Sequence, residues 1–363
     1  MLPLTKVIIS GGGTGGHIYP AVSIAQELEK QIPGINILFV GAKGKMEMEK
    51  VPKAGFEIEG LWISGLQRKL TLGNLSFPIK VLSSIYIANI ILNKFKPQIA
   101  IGVGGYASGP LLYTAGIKGI PTLIHEQNSY AGLTNKWLSK RANKICVAYD
   151  GMEKYFPAAK IVKTGNPVRQ DLQNMAQKKQ EASKFFGLGL AKKTILFIGG
   201  SLGARTLNQT LKSDVYKLTD AGYQVIWQTG KLYYDEVKHL ENENVKIYDF
   251  IYQMDLAYAM ADVIVSRAGA SSISEIALVG KPLVLVPSPN VSEDHQTKNA
   301  MALVNKEAAM MVKDIDAKSS LMDSCLALMN DIVLQNKLAT HIKFFATPDA
   351  AKTIVSEILS LVK

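Results

Sequence analysis

Apolar residues along this chain gather in short continuous runs, each closed by glycine or by a polar turn and followed by a stretch with helical spacing. Runs of that kind, apolar on both faces, predict buried parallel strands rather than half-exposed antiparallel ones. In the first half they predict strands at Val7–Ser10, Ile35–Val40, Ile58–Ile63, Ile99–Val103, Thr122–His125 and Lys144–Val147. The second half restarts with Thr194–Ile198 and continues through Gln224–Trp227, Val245–Ile247, Val263–Ser266, Leu283–Val286 and Ala308–Val312. The expected class is α/β, with two similar doubly wound units facing a common interdomain cleft. The expected divisions are 1–165, 166–346 and a closing segment 347–363 that packs back on the first unit. A polar helix over Arg169–Phe186 joins the second unit. The last helix begins at Thr347-Pro348-Asp349, with Pro348 at its first helical position and a stripe of Ile354, Ile358, Leu361 and Val362.

The first strand stops in Gly11-Gly12-Gly13-Thr14-Gly15-Gly16-His17, and a helical pattern through Ala21, Ile24, Ala25 and Leu28 follows. Glycines let backbone N–H groups approach a ligand, and unpaired amides at a helix start favour anionic or electron-rich groups. Gly11, Gly13 and Gly16 fit the dinucleotide spacing, but the acid expected near the end of the second strand is missing, because that strand runs into Gly41, Ala42 and Lys43. His17 stands where a phosphate-binding P-loop carries its lysine. The second unit opens in the same way, with Gly199-Gly200-Ser201-Leu202-Gly203-Ala204 after its first strand. Further strand ends carry Gly104-Gly105-Tyr106, His125-Glu126-Gln127-Asn128, Phe250-Ile251, Arg267 to Glu275, and Pro287 to Asn299.

Length and charge narrow the reading. A chain of 363 residues accommodates two domains of about 150 residues. Its net charge of +11 predicts an anionic partner: nucleic acid, a phosphorylated substrate or an anionic membrane surface. Cys146 and Cys325 have no ligand-like spacing and indicate neither a disulfide framework nor a metal site. The uncharged stretches Val7–Gln26 and Ile99–Ile117 are broken by glycine and proline, so neither is expected to span a bilayer. No basic-aromatic interleaving points to nucleic acid.

Taken together, Gly-Gly-Thr-Gly-Gly-His at 12–17, Gly-Gly-Tyr at 104–106, His-Glu-Gln-Asn at 125–128, Gly-Asn-Pro-Val-Arg at 165–169, Gly-Gly-Ser at 199–201, Gly-Ala-Arg at 203–205, Ser-Glu-Ile at 274–276 and Asp-His-Gln at 294–296 resemble one family throughout. It is the family of bacterial N-acetylglucosaminyltransferases that convert lipid I to lipid II in peptidoglycan synthesis. The resemblance implies a GT-B glycosyltransferase fold of two Rossmann-like domains, with UDP-N-acetylglucosamine on the second and lipid I on the first. It implies inverting transfer to the muramyl C4 hydroxyl without a metal or other cofactor. It also implies a peripheral place on the cytoplasmic face of the bacterial inner membrane, with cell-wall or division machinery as candidate partners and no nucleic acid.

Carried over by motif, Glu275 is expected on the ribose, within a segment formed by Ser271, Ser272, Ile273, Ser274 and Ile276. Ser201 and Arg169 are expected on the diphosphate, Ile251 at the uracil through its backbone, and Gln296 on a sugar hydroxyl. Thr14, Gly15, Gly16 and Asn128 are expected to reach the sugar or acceptor, and Gly104, Gly105, Tyr106 and His125 to lie on the acceptor side. The sequence departs from the family's commonest pattern at Leu202, where glutamine is usual, and at Ala268, where serine is usual.

His17 is the first candidate for the general base, because an unperturbed imidazole titrates near neutrality. The plain alternative is a histidine that holds its own loop. Glu126 is a weaker second candidate, with His125 and Glu126 read chiefly as loop-orienting groups. Basic and apolar residues alternate from Arg68 to Ile79 and suit an anionic membrane, with Lys136, Lys140 and Arg141 as neighbours, whereas Val81–Leu92 reads as a buried helix. The rival reading in the same fold is a UDP-sugar epimerase or another glycolipid transferase.

Overall fold

The structure, a computed structural model, describes residues 3–65, 76–168, 172, 175–200 and 203–362. The chain divides into two compact units, Met1–Val168 with Thr347–Lys363, and Arg169–Ala346.

In the first unit, strands β1 (Lys6–Ser10), β2 (Asn36–Ala42), β3 (Glu57–Leu61), β4 (Ile99–Gly102), β5 (Thr122–Glu126), β6 (Lys144–Val147) and β7 (Ile161–Lys163) form one parallel sheet. Its order is β3-β2-β1-β4-β5-β6-β7. Helices α1 (Gly15–Gln31), α2 (Glu47–Lys53), α3 (Phe77–Phe95), α4 (Ser108–Ile117) and α5 (Leu133–Leu138) lie between the strands in the chain. Alternate residues serve opposite faces. Val7, Ile9, Phe39 and Ile101 join one core with Ile24 and Leu28 of α1, while Ile8, Leu38, Val40 and Ala100 join the other with Leu92 of α3 and Leu111 of α4.

The second unit repeats the plan. Strands β8 (Thr194–Ile198), β9 (Gln224–Gln228), β10 (Val245–Tyr248), β11 (Val263–Ser266), β12 (Leu283–Leu285) and β13 (Met310–Met311) pair in parallel in the order β10-β9-β8-β11-β12-β13. Its helices are α6 (Lys179–Phe186), α7 (Arg205–Asp220), α8 (Tyr234–Val237), α9 (Met254–Met260), α10 (Ala270–Val279), α11 (His295–Val304), α12 (Ala317–Asn330) and α13 (Ile332–Ile342). Trp227 anchors the core, and its indole N–H is satisfied at 2.9 Å by Asn208 Oδ1. The chain ends in α14 (Ala350–Leu361), whose Ile354, Val355 and Ile358 are buried in the core that holds α1.

Several local expectations change. Helix α1 begins at Gly15, ahead of Pro20, so Gly15, Gly16 and His17 form its first turn rather than a free loop. Pro348 lies in a turn before α14, not in its first turn. Strand β7, which the sequence does not predict, lies just before the expected division at 165/166. Of the expected helix over 169–186, the structure gives α6 preceded by a 3-10 turn at Met175–Lys178. Arg169, 170–171 and 173–174 lie outside the described residues, as do Ser201, Leu202 and 66–75, which contain Arg68 and Lys69.

Helix α3 is buried on only one face. Ser84, Ala88, Ile91 and Leu92 point inward, while Ile79, Leu82, Tyr86 and Ile90, spaced three and four apart, are 61%, 68%, 67% and 46% exposed. An apolar sequence surrounds the helix, but the sheet can cover only one stripe of it.

Where β7 leads out of the first unit, Gly165 adopts φ +79, and a Cβ there would lie 2.0 Å from Thr347 Oγ1. A left-handed backbone and a steric collision are therefore both avoided by glycine. Gly165→Ala is expected to reduce the unfolding free energy by at least about 2 kcal/mol. Adding Thr347→Gly should restore the steric part and leave the backbone part, as read by denaturant titration of the two variants.

Candidate active site

The strand order reverses between β1 and β4 in the first unit and between β8 and β11 in the second. At such a switch point the connections leave toward opposite faces and open a crevice at the carboxyl ends of the strands. The Gly11–Thr14 and Gly104–Tyr106 loops occupy that position in the first unit, and Gly199, Gly200, Gly203 and Arg267–Gly269 occupy it in the second.

In the first unit the two loops touch through backbone. Gly12 N–H donates to Gly104 O at 3.3 Å, and a Cβ at Gly105 would fall 2.4 Å from Gly12 O. Gly104 and Gly105 adopt φ +96 and +92. His17 Nδ1 lies 3.0 Å from the Gly12 carbonyl and 3.3 Å from Thr14 Oγ1. A carbonyl only accepts, so Nδ1 carries the proton and Nε2 keeps its lone pair. Nε2 faces Gly104, where a Cβ would approach it to 2.8 Å. Burial lowers the His17 pKa, opposed by the Gly12 carbonyl and by the carboxylates of Glu126 and Glu47, so the ring is neutral at pH 7. The half-exposed Tyr106 lies beside Gly13, and Thr14 is exposed.

His125 and Glu126 end the neighbouring strand β5 and are buried. His125 Nε2–H donates to Gly165 O at 3.0 Å, and Gln127 Nε2 donates to His125 Nδ1 at 2.8 Å. Both ring nitrogens are thereby occupied. Burial pushes the His125 pKa down to about 4, with the Gly165 hydrogen bond acting the other way and His17 adding to the fall. Glu126 Oε1 accepts from Asn128 N and Nδ2 at 3.1 and 3.2 Å, and Oε2 accepts from Gly132 N and Asn135 Nδ2 at 3.0 and 2.9 Å. With both oxygens committed twice, Glu126 clasps the 127–132 loop and is not placed as a base. It fixes the half-buried Asn128 instead.

Glu47, which motif reading passes over, is the other buried carboxylate here. Its Oε2 accepts from Gly13 N at 2.8 Å and its Oε1 from Ala42 N at 3.0 Å. The sequence reads Gly41 as the end of its strand; the structure carries β2 through it to Ala42, and a glycine inside a strand is where close approach by another group is the usual cause.

In the second unit Ser271, Ser272, Ile273, Ser274, Glu275 and Ile276 all lie within α10. Ile273 and Ile276 are buried in the unit, so their side chains support the helix. Glu275 Oε2 accepts from the buried Tyr258 hydroxyl at 3.0 Å, a second partner that motif reading misses. Ser271 Oγ, at the helix start, is buried without a hydrogen-bond partner among the described residues. The Ile251 N–H is held at 2.9 Å by Gln228 Oε1, which leaves its carbonyl as the backbone group for a ligand. Gln296 Oε1 accepts from Ser288 N at 2.8 Å, which turns its amide nitrogen outward from that bond. Arg267 is tied to Val286 O at 2.9 Å and to Asp314, a structural role. Arg169 and Ser201, expected on the diphosphate, lie outside the described residues. Among the described residues no group of three or more His, Cys, Asp or Glu side chains is arranged to hold a metal.

Two α/β units with glycine loops at their switch points define a GT-B-type glycosyltransferase, and residues 7–147 and 194–354 match the N-terminal and C-terminal domains of glycosyltransferase family 28. Within that class the chain belongs to the family of UDP-N-acetylglucosamine–N-acetylmuramyl-(pentapeptide) pyrophosphoryl-undecaprenol N-acetylglucosamine transferases. It is 57% identical to the transferase of that name from Cytophaga hutchinsonii, over 98% of this chain and 97% of that one. It is 55% identical to that from Flavobacterium psychrophilum, over 99% and 98%. The crystal structure of Acinetobacter baumannii MurG superposes with a TM-score of 0.77 at 28% identity, covering 99% of this chain and all of that one. A UDP-GlcNAc 2-epimerase from Neisseria meningitidis shares the fold alone, with a TM-score of 0.70 at 16% identity.

A buried histidine kept neutral costs stability in acid. The His125 pKa is about 4 in the folded chain against 6.5 unperturbed, so the unfolded chain binds the proton first, and stability present above pH 6.5 is lost as the pH falls toward 4. The shift corresponds to about 3 kcal/mol. His125→Gln is expected to flatten that part of the pH dependence, measured as unfolding free energy between pH 7 and 4.

Proposed function

We propose that the protein transfers N-acetylglucosamine from UDP-N-acetylglucosamine to the C4 hydroxyl of the muramyl sugar of lipid I, releasing UDP and forming lipid II. The observation that carries this is end-to-end similarity, at 57% identity, to a transferase whose name states that donor and that acceptor. The second unit takes the nucleotide sugar. Glu275 accepts from ribose hydroxyls, the Ile251 carbonyl faces the uracil N–H, and the Gln296 amide meets a sugar hydroxyl. The start of α10 at Ser271 and Ser272, with Ser201 and Arg169, takes the diphosphate. Helix N-termini favour anions, and charge that grows on the leaving UDP gains most from dipoles already in place.

The first unit supplies the acceptor side through Gly104, Gly105 and Tyr106, while Thr14, Gly15, Gly16 and Asn128 meet the transferred sugar or the acceptor. The acceptor oxygen forms its bond to the anomeric carbon on the face opposite the leaving group. The bond from that carbon to the phosphate oxygen breaks, and its electron pair leaves with UDP. The hydroxyl proton passes to His17 Nε2. The lone pair left on that nitrogen by the Nδ1 bond to the Gly12 carbonyl supports this role. Inversion follows from a single displacement, through a transition state with oxocarbenium character.

Transfer of radiolabelled sugar to a short-chain lipid I analogue tests the reading. It should proceed in EDTA, need both substrates, and fall by about 100-fold or more in His17→Ala. Donor consumption without acceptor would favour an epimerase instead.

The same reading places the protein peripherally on an anionic membrane surface at the cytoplasmic face, beside the cell-wall or division machinery. What supports it is the exposed stripe Ile79, Leu82, Tyr86 and Ile90, the net charge of +11, and Lys80 over the half-exposed Trp62. Nearby in the chain, Arg141 lies over Tyr113, which stacks on the half-exposed Trp137. Among the described residues no helix is long and apolar enough to cross a membrane. Leu82→Ser with Tyr86→Ser should weaken binding to anionic vesicles about tenfold. Transfer to a water-soluble acceptor should be unchanged, with sedimentation of the vesicles as the readout.

A further inference from the structure

The Gly12–Gly13 peptide is gripped at both of its polar ends. Its carbonyl, on Gly12, lies 3.0 Å from His17 Nδ1, and its N–H, on Gly13, donates to Glu47 Oε2 at 2.8 Å. Glu47 is 1% exposed and enters from the first residue of α2, the helix that follows the neighbouring strand. Its other oxygen accepts from Ala42 N at 3.0 Å, so the carboxylate is fixed to the sheet as well as to the loop. The chain has been cleared to admit it. A Cβ at Gly12 would lie 2.2 Å from Glu47 Oε1, and one at Gly41 would lie 2.5 Å from Glu47 Cγ. Neither glycine is among those with positive φ. Space for this one side chain is therefore the physical reason for glycine at both positions.

We propose that Glu47 is a positioning residue acting on His17 through the Gly12–Gly13 peptide, a carboxylate-peptide-imidazole relay that holds the proton on Nδ1 and leaves Nε2 to take the acceptor's. This rests on the assignment of His17 as the base. A carboxylate on the N–H end of a peptide polarises it and makes its carbonyl a stronger acceptor, as hydrogen bonds in chains do. That carbonyl then fixes the imidazole tautomer and steadies the imidazolium that forms when Nε2 gains a proton. A carboxylate bonded directly to a histidine does the same in hydrolytic triads. Here a peptide unit stands between the two groups. The other ionisable groups around His17 are Glu126 and His125 of β5, with Tyr106 beside Gly13. Glu126 is committed to four donors of its own loop and His125 to Gly165 and Gln127, so neither bonds the imidazole.

Wild type, Glu47→Gln, His17→Ala and the double variant are compared in sugar transfer to the lipid I analogue. Glu47→Gln should lower kcat about 10- to 100-fold with little change in donor KM. The acid limb of its pH profile should move to lower pH, because the carboxylate that favours the imidazolium is gone. The double variant should be no slower than His17→Ala, since Glu47 acts only through that ring. Wild-type kcat and an unmoved limb in Glu47→Gln, beside an inactive His17→Ala, would overturn the relay and leave the base in place. Full turnover in His17→Ala would remove both. Should Glu47→Gln not fold, nitrogen NMR of the wild-type imidazole decides: the Nδ1–H tautomer is expected, and the Nε2–H tautomer ends the proposal.

Discussion

A parallel sheet delivers the end of every strand to one edge, and that edge must then find partners for a row of loop amides and carbonyls while staying open to a substrate. In the first unit the conflict is met by buried side chains that reach along the edge. Glu47 takes N–H groups from the loops after β1 and β2, and Glu126 takes those of its own loop. His125 takes the carbonyl of Gly165, while Gln127 takes that of Val103. A buried carboxylate without such donors would be costly, and a buried amide without an acceptor equally so. Each group makes the other's burial tolerable. The result is a rim whose backbone is fixed by buried side chains.

This arrangement separates His17, the first candidate base in the sequence, from His125, read there as orienting its loop. His125 sits one strand from the switch point, fully enclosed, with its proton on Nε2 and both nitrogens in use. His17 lies at the switch itself, with the opposite tautomer and one nitrogen uncommitted to the loop. The proposed chemistry thus follows position in the sheet order, not residue type. The same holds for the carboxylates, since Glu126 looks catalytic in a motif and structural in its bonds.

Much of the architecture was legible because parallel strands buried on both faces must be apolar without alternation, and because the glycines that end them interrupt the pattern abruptly. The doubled plan and the loops at strand ends follow from that alone. Glu47 escaped for a physical reason: its partner Gly13 lies 34 residues before it and becomes a neighbour only when β1 and β2 pair in register, Ser10 opposite Val40. Gly41, read as closing the second strand, left no separate trace of it. Helix α3 shows the opposite limit. Composition reports how apolar a segment is, but which stripe is covered depends on what packs there, and the outward residues Leu82 and Ile90 are no less apolar than the inward Ile91 and Leu92. The sequence misplaces the start of the last helix by setting Pro348 at its first helical position, whereas it lies in the turn before α14. Pro20 stands inside α1, past its first turn, and leaves the Gly16 carbonyl without the backbone N–H it would otherwise receive.

The second unit solves the edge problem differently, and the difference fits what each unit is asked to hold. Uncharged groups brace several of its loops, with Gln228 on the Ile251 N–H, Tyr258 on Glu275, and Asn208 bridging Trp227 to the Thr229 carbonyl, while the Asp314 carboxylate is matched by Arg267. Neutral braces leave the local potential to the helix starts and to basic side chains, which suits a diphosphate. A buried carboxylate beside the glycine loop, as in the first unit, would oppose it. Beside His17, if it is the group that gains the proton as proposed, the same negative charge is favourable. Under that proposal two copies of one fold brace equivalent strand ends differently, according to whether the ligand brings negative charge or a side chain acquires positive charge.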